Sequence, residues 1–307
     1  MSAGWVAGSV RARALAGRRI GPTAARELAS CGSLSDGLHM LAATCYGAGL
    51  RPDLPLAAAQ HEVADTVLWD LRVLAGWLPP DGVRMLRSLC AWFEVANVDE
   101  LLQVIAGQPA EAEFRLGALG TAWPRLRQAT SHGELRAALA ASAWRDPGGE
   151  SAHDVRLGMR ARWAARAATL GDPARTWAAG AAALLVAGER FAAGRAVDPA
   201  VMGGALSLLG PAAQRAATLD ELAGGLPAQA SWVLAGIISP ANLWRAEETW
   251  LARVEQDGLR LLRTSSLDSK VILGAVAVMA CDARRARAAL ELAARGGVPL
   301  EAYDELA

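Results

Sequence analysis

The residues with chemical potential in this chain are few and scattered. Four histidines (His39, His61, His132, His153) fall singly among helices and loops. Four cysteines (Cys31, Cys45, Cys90, Cys281) contain no C-x-x-C pair. A metal centre wants ligands at short, paired spacings. We therefore read the histidines as solvated or capping residues, and the thiols as small buried groups of a reduced, cytosolic protein. No glycine-rich loop carries a lysine to cradle phosphates, and neither G-x-S-x-G nor H-E-x-x-H occurs. The acidic pairs Asp99-Glu100 and Glu247-Glu248 lack the companions of an aspartate-rich helix that would hold magnesium and a diphosphate. Arg156, Arg160, Arg162 and Arg166 could meet an acidic partner, but a solvated helix face accounts for them. Eleven tryptophans invite a ligand cage. Trp69, Trp77, Trp92, Trp163 and Trp250 sit at apolar helical positions, however, which favours core packing. The expectation is a chain with no catalytic, cofactor-binding or metal-binding residue.

Composition narrows the classes further. A chain of 307 residues can bury a sizeable core, and length alone suggests about two domains. Lys+Arg and Asp+Glu both total 31, so the net charge is zero. That argues against a general nucleic-acid binder, whose affinity rests on a basic face. Arg11, Arg13, Arg18 and Arg19 interrupt any apolar core at the N-terminus, so no secretory signal is expected. The stretch 222–244 is uncharged and long enough to span a bilayer, yet it holds Pro227, Gln229, Pro240 and Asn242. It reads as a helix end, a turn and a new helix. The uncharged run Val271 to Cys281 is too short to span.

The elements that would position these residues are helices throughout. Ser131, with Glu134 three residues on and Leu135 and Leu139 beyond, forms a capping box that opens an amphipathic helix. Ser33 with Asp36, Leu38 and Leu41 is a shorter-armed version, and Thr218 with Glu221, Leu222 and Leu226 is a third. The three caps are separated by 98 and 87 residues, and each helix runs into an aromatic: Tyr46, Trp144, Trp232.

Around them, Val10 to Ile20 reads as an arginine-rich helix stopped by Gly21-Pro22, and Thr23 as the cap of a short helix to about Ser30. Two long helices follow the first box, Leu56 to Leu78 and Val83 to about Ile105, broken by Pro79-Pro80-Asp81-Gly82. The middle unit repeats the order: Val155 to Leu170, the turn Gly171-Asp172-Pro173, then Trp177 to Phe191. The last unit has Asn242 to Leu262, the polar cluster Thr264, Ser265, Ser266 and Asp268, then Val271 to Arg295, stopped by Gly296-Gly297-Val298-Pro299. Ala96, Ala187 and Ala280 superpose in the second long helices at spacings of 91 and 93 residues. The expected fold is all-α, with three similar helical units. They are an N-terminal helix plus first unit at 1–110, a second at 111–203 and a third at 204–307.

Four segments carry a family resemblance: Val10-Arg11-Ala12-Arg13-Ala14-Leu15; the helix-turn Leu126 to Trp144; Trp92 to Leu102, with Asn97 followed by Val98; and Asp282 to Leu290, running into Arg295-Gly296-Gly297. Together they resemble the central-stalk subunit of vacuolar- and archaeal-type rotary ATPases. The resemblance implies a funnel of three units in pseudo-threefold arrangement. It also implies a non-catalytic role coupling the membrane rotor ring to the central stalk during ion transport. Its partners would be the ring and stalk subunits, with membrane contact only through them, on the cytoplasmic face. The arginine usual a few residues after the asparagine is absent here; Val104 and Ile105 occupy that stretch. A diverged helical scaffold with another partner is the second reading, and a small-molecule enzyme in a helical bundle is the third.

Overall fold

The structure is a computed structural model and describes residues 2–298. Every regular element among them is helical, and no strand occurs. The chain is all-α, as the periodicity predicts. No helix among the described residues is long and apolar enough to cross a membrane.

In chain order the α-helices are α1 (Ala3–Ala16), α2 (Gly21–Ala29), α3 (Leu34–Ala42), α4 (Leu56–Ala75) and α5 (Pro80–Ile105). Next come α6 (Trp123–Leu126), α7 (His132–Ala140), α8 (Ala152–Ala168), α9 (Ala174–Ala187) and α10 (Pro199–Leu209). The last five are α11 (Pro211–Arg215), α12 (Leu219–Gly225), α13 (Ala228–Ser231), α14 (Leu243–Arg263) and α15 (Ser269–Ala294). A π-helical turn, Gly188–Ala192, prolongs α9. Packing divides the chain into two compact units. Among the described residues the first comprises 2–86, Glu111–Ala118 and 255–298; the second comprises Arg87–Ala110 and Leu119–Val254.

The first unit is built on α15, which is buried along most of its length from Val271 to Ala293 and packs against α1, α2, α3 and α4. Helix α4 shows why such a bundle closes. Ala59, Val63, Val67, Leu71 and Leu74 recur every three or four residues and are all buried, as a single apolar stripe requires. Gly258 and Gly274 bring α14 and α15 together: a Cβ on Gly274 would come within 2.7 Å of the Gly258 carbonyl oxygen. The second unit centres on α8, α9 and α10 packed on one another. A Cβ on Gly204 of α10 would meet the Ala161 carbonyl oxygen at 2.6 Å, so the two backbones meet at a residue without a side chain.

All three sequence-read caps exist. The hydroxyls of Ser33, Ser131 and Thr218 accept from the backbone N–H of Asp36 (3.1 Å), Glu134 (3.2 Å) and Glu221 (3.1 Å). The reciprocal half of the box differs from expectation. The carboxylates of Glu134 and Glu221 take the N–H of Thr130 (2.8 Å) and Ala217 (2.7 Å), one residue before the cap. The shorter Asp36 instead accepts the Ser33 hydroxyl itself at 2.6 Å. A fourth cap, Ser151 with Asp154, opens α8.

Several boundaries also move. Helix α1 starts at Ala3 and ends at Ala16 rather than running from Val10 to Ile20, because alanine and glycine among its apolar residues blur the periodic signal. Helix α5 begins at Pro80, since proline is tolerated in a first turn. Helix α7 stops at Ala140, before the Asp146-Pro147 turn. Helix α15 is closed by Gly296 and Gly297 at φ 99° and 77°, the left-handed geometry that glycine supplies. Pro299 and the rest of 299–307 lie outside the described residues.

Candidate functional site

The short helices α2, α6 and α11, each with a proline in the first turn, have no side-chain cap of their own, so their ends rely on partners elsewhere. Three charged side chains from other elements hold the ends of these segments.

The first lies on α15. Asp282 is fully buried and accepts from the backbone N–H of Ile20 (3.1 Å) and Gly21 (2.8 Å), capping α2. It also accepts the Tyr46 hydroxyl at 2.8 Å. Thr23 is therefore not the cap of α2; the residue before the helix is Ile20, and the acceptor comes from the far end of the chain. Burial, and then the Asp282 charge, hold the Tyr46 phenol far above its ordinary range. Arg285, one turn on, binds Glu255 at 2.6 Å and lies 3.7 Å from Asp282.

The second grip lies on α5. Glu94 is buried and accepts from the N–H of Thr121 and Ala122, both at 2.6 Å, at the start of α6. Further along the same helix, Asp99 receives Arg156 (3.2 Å) and Arg160 (3.3 Å) from α8. Burial raises the Asp99 carboxyl despite both guanidinium groups. The third grip uses the opposite sign. Arg190, on the π-helical turn, donates to the carbonyls of Ala213 (2.9 Å) and Ala216 (2.8 Å) at the end of α11. Its neighbour Glu189 faces elsewhere and binds Arg195 and the His153 ring nitrogen, at 2.8 and 2.9 Å.

The structure thus sorts the sequence candidates. Of the arginine set, Arg156 and Arg160 pair with Asp99, and the Arg166 guanidinium lies 5.0 Å from the centre of the Trp144 ring. The simple solvated face gives way to an inter-helix contact. Trp69 and Trp77 are corrected: at 58% and 52% exposure they are surface residues, Trp69 standing beside Leu68 on the outer side of the α4 stripe. Trp163 and Trp250 are half-buried and donate to the Ser88 and Trp177 carbonyls. His39 turns to the Ser35 carbonyl, and His61 stacks on Phe114 with centroids 4.2 Å apart.

None of the four cysteines is in a disulfide. Burial raises Cys45 to about 11 and Cys281 to about 12, and moves Cys31 and Cys90 in the same direction, which keeps all four protonated. Among the described residues no group of three or more His, Cys, Asp or Glu side chains could hold a metal. Asp282 and Glu94 face backbone N–H groups, and geometry of that kind positions helices.

Asp282, Glu94 and Arg190 escape a reading of the sequence because each acts at long range. The available signal is indirect and covers two of them: the starts Gly21-Pro22 and Trp123-Pro124 each lack a local side-chain cap. Compared with known proteins, the chain matches no protein-family model and no curated protein.

Proposed function

We propose that this chain is a non-catalytic coupling subunit of a vacuolar/archaeal-type rotary ATPase, joining the membrane rotor ring to the central stalk. The observation that carries the reading is one local device occurring twice in matching detail. Ser33 caps α3, the Thr44 hydroxyl donates to Leu41 O (2.7 Å) and accepts from Tyr46 N, and Tyr46 is buried. Ninety-eight residues on, Ser131 caps α7, the Ser142 hydroxyl donates to Leu139 O (2.7 Å) and accepts from Trp144 N, and Trp144 is buried. Thr218 opens the third copy, which diverges after Pro227.

In each copy the preceding short helix is held by a side chain from, or directly following, a second long helix: Asp282 for α2, Glu94 for α6 and Arg190 for α11. Repeats that lend each other their contacts are what a three-unit, pseudo-threefold array requires. Such a chain transmits force through packed helices and needs no chemistry of its own. It would sit at the membrane through its ring and stalk partners, over an interface of at least about 1,000 Å².

The test is an affinity pull-down from native membranes after gentle detergent extraction, read by mass spectrometry, with an ATPase assay on the purified chain. Ring and stalk subunits should co-purify, and the isolated chain should hydrolyse no ATP. A different set of partners favours the diverged scaffold, and turnover by the chain alone overturns both readings.

A further inference from the structure

The two matching turns differ in what their aromatics meet. Tyr46 places its O–H on the Asp282 carboxylate, a donor on an acceptor. At the equivalent position Trp144 is 1% exposed, and its indole N–H has no hydrogen-bond partner. The side chain over its ring is the Arg166 guanidinium, whose Nη1 is also buried and unpartnered. One turn earlier on α8, the Arg162 Nε lacks a partner as well. Donors have gathered where the first turn supplies an acceptor, and buried donors left unmade are costly.

The nearby carboxylates are engaged elsewhere: Glu94 with Thr121 and Ala122, Asp146 with Arg136 and the Gly148 N–H. Burial lowers both Arg162 and Arg166, opposed in part by the charges of Asp146 and Glu94 respectively. Both arginines are half-buried as residues, while the Arg166 Nη1 and Arg162 Nε atoms themselves are closed off from solvent. Arg145, next to Trp144, is the one non-glycine residue with positive φ (63°) among those described, and it adds a third guanidinium on the same turn.

We propose that Trp144, Arg166 and Arg162 form a binding site for a small tetrahedral oxyanion of the phosphate or sulfate class. The anion accepts from the indole N–H and the two guanidinium groups, completing the arrangement that Asp282 completes for Tyr46. Guanidinium forks and an indole N–H suit an oxyanion because all are donors without acceptor capacity. The site rests on neither the family resemblance nor the coupling role, and it stands or falls alone.

The experiment is titration of the purified chain with inorganic phosphate, and separately sulfate, against chloride at matched ionic strength. Thermal unfolding and calorimetry provide the readouts. Phosphate should raise the unfolding midpoint saturably with one-to-one stoichiometry. Trp144→Phe, which deletes the N–H and keeps an aromatic ring, should weaken binding about tenfold. Arg166→Gln should abolish it, and Tyr46→Phe should leave it unchanged. No saturable response in the unaltered chain means that water meets these donors, which overturns the proposal. A response of equal size in Arg166→Gln overturns it too, by placing the ion elsewhere.

Discussion

The turn that ends at Tyr46 and the turn that ends at Trp144 share a cap, a hydroxyl lock and a buried aromatic, yet they solve burial in opposite ways. Around Tyr46, one carboxylate on α15 accepts three donors: two backbone N–H groups and the phenol. Around Trp144 the tasks are split. Glu94 takes the two backbone N–H groups of Thr121 and Ala122, while the aromatic meets an arginine. Local hydrogen bonding is thus the same in the two turns, while the tertiary partner changes sign. The first arrangement concentrates its stability in a single residue; the second distributes it.

That contrast ranks the expected losses. Asp282→Ala strands three buried or part-buried donors and should cost about 4 kcal/mol, whereas Glu94→Ala strands two and should cost about 3 kcal/mol. Urea unfolding of both variants against the parent checks the order. Equal losses, or a larger one at Glu94, would break the distinction between concentrated and distributed support. Amide exchange adds a local readout: Ile20 and Gly21 should lose protection in the first variant, Thr121 and Ala122 in the second.

How far the sequence foretells this depends on distance along the chain. Ser33, Ser131 and Thr218 are legible because a cap joins residues three apart, and the Leu41 and Leu139 stripes are legible because helical periodicity is local. Asp282 is not. It reads as one more charge on an arginine-rich helix, and its target at Ile20 and Gly21 is set by how α15 packs on α2. The same ignorance of packing places the cap of α2 on Thr23, the nearest hydroxyl. It also puts Trp69 and Trp77 in the core, where periodicity does not separate a stripe's edge from its outside. For the candidate sites, the sequence supplies the identities of Arg162, Arg166 and Trp144 but not their meeting.

A smaller change sharpens the comparison at the aromatic. Tyr46→Phe removes one donor from Asp282 and keeps the ring, so it should cost about 2 kcal/mol, the scale of a hydrogen bond to a charged group. The phenol cannot substitute for the backbone donors, so α2 should remain capped. The check is unfolding free energy combined with unchanged exchange at Gly21. Loss of protection there would mean that Tyr46, not Asp282, orders the start of α2.

The caps should respond alike. Ser33→Ala and Ser131→Ala each delete one acceptor for an exposed first-turn N–H and should each cost about 1 kcal/mol. Ser33→Ala also takes from Asp36 the hydroxyl that binds it, while Ser131→Ala leaves Glu134 on Thr130. The first loss should therefore be slightly the larger. A null effect at either site would mean that the hydroxyl does not stabilise that helix start.

The smallest effect lies in the acid limb and belongs to the second turn alone. Asp146, just after Trp144, is held at about 2 by its hydrogen bond to Arg136 and then by the Gly148 N–H, below its ordinary value of 3.8. A carboxyl depressed in the folded state stabilises above its unfolded value and loses that contribution as pH falls through the folded one. Asp146 should therefore contribute fully above about pH 4 and nothing much below about pH 2. The group is solvent-facing, so screening keeps the contribution small. Urea midpoints for the parent and Asp146→Asn should differ at neutral pH and converge as pH falls through this window. A gap that persists unchanged below about pH 2 would mean that the aspartate acts through turn geometry, as an acceptor for Gly148 that asparagine fails to mimic, and not through its charge.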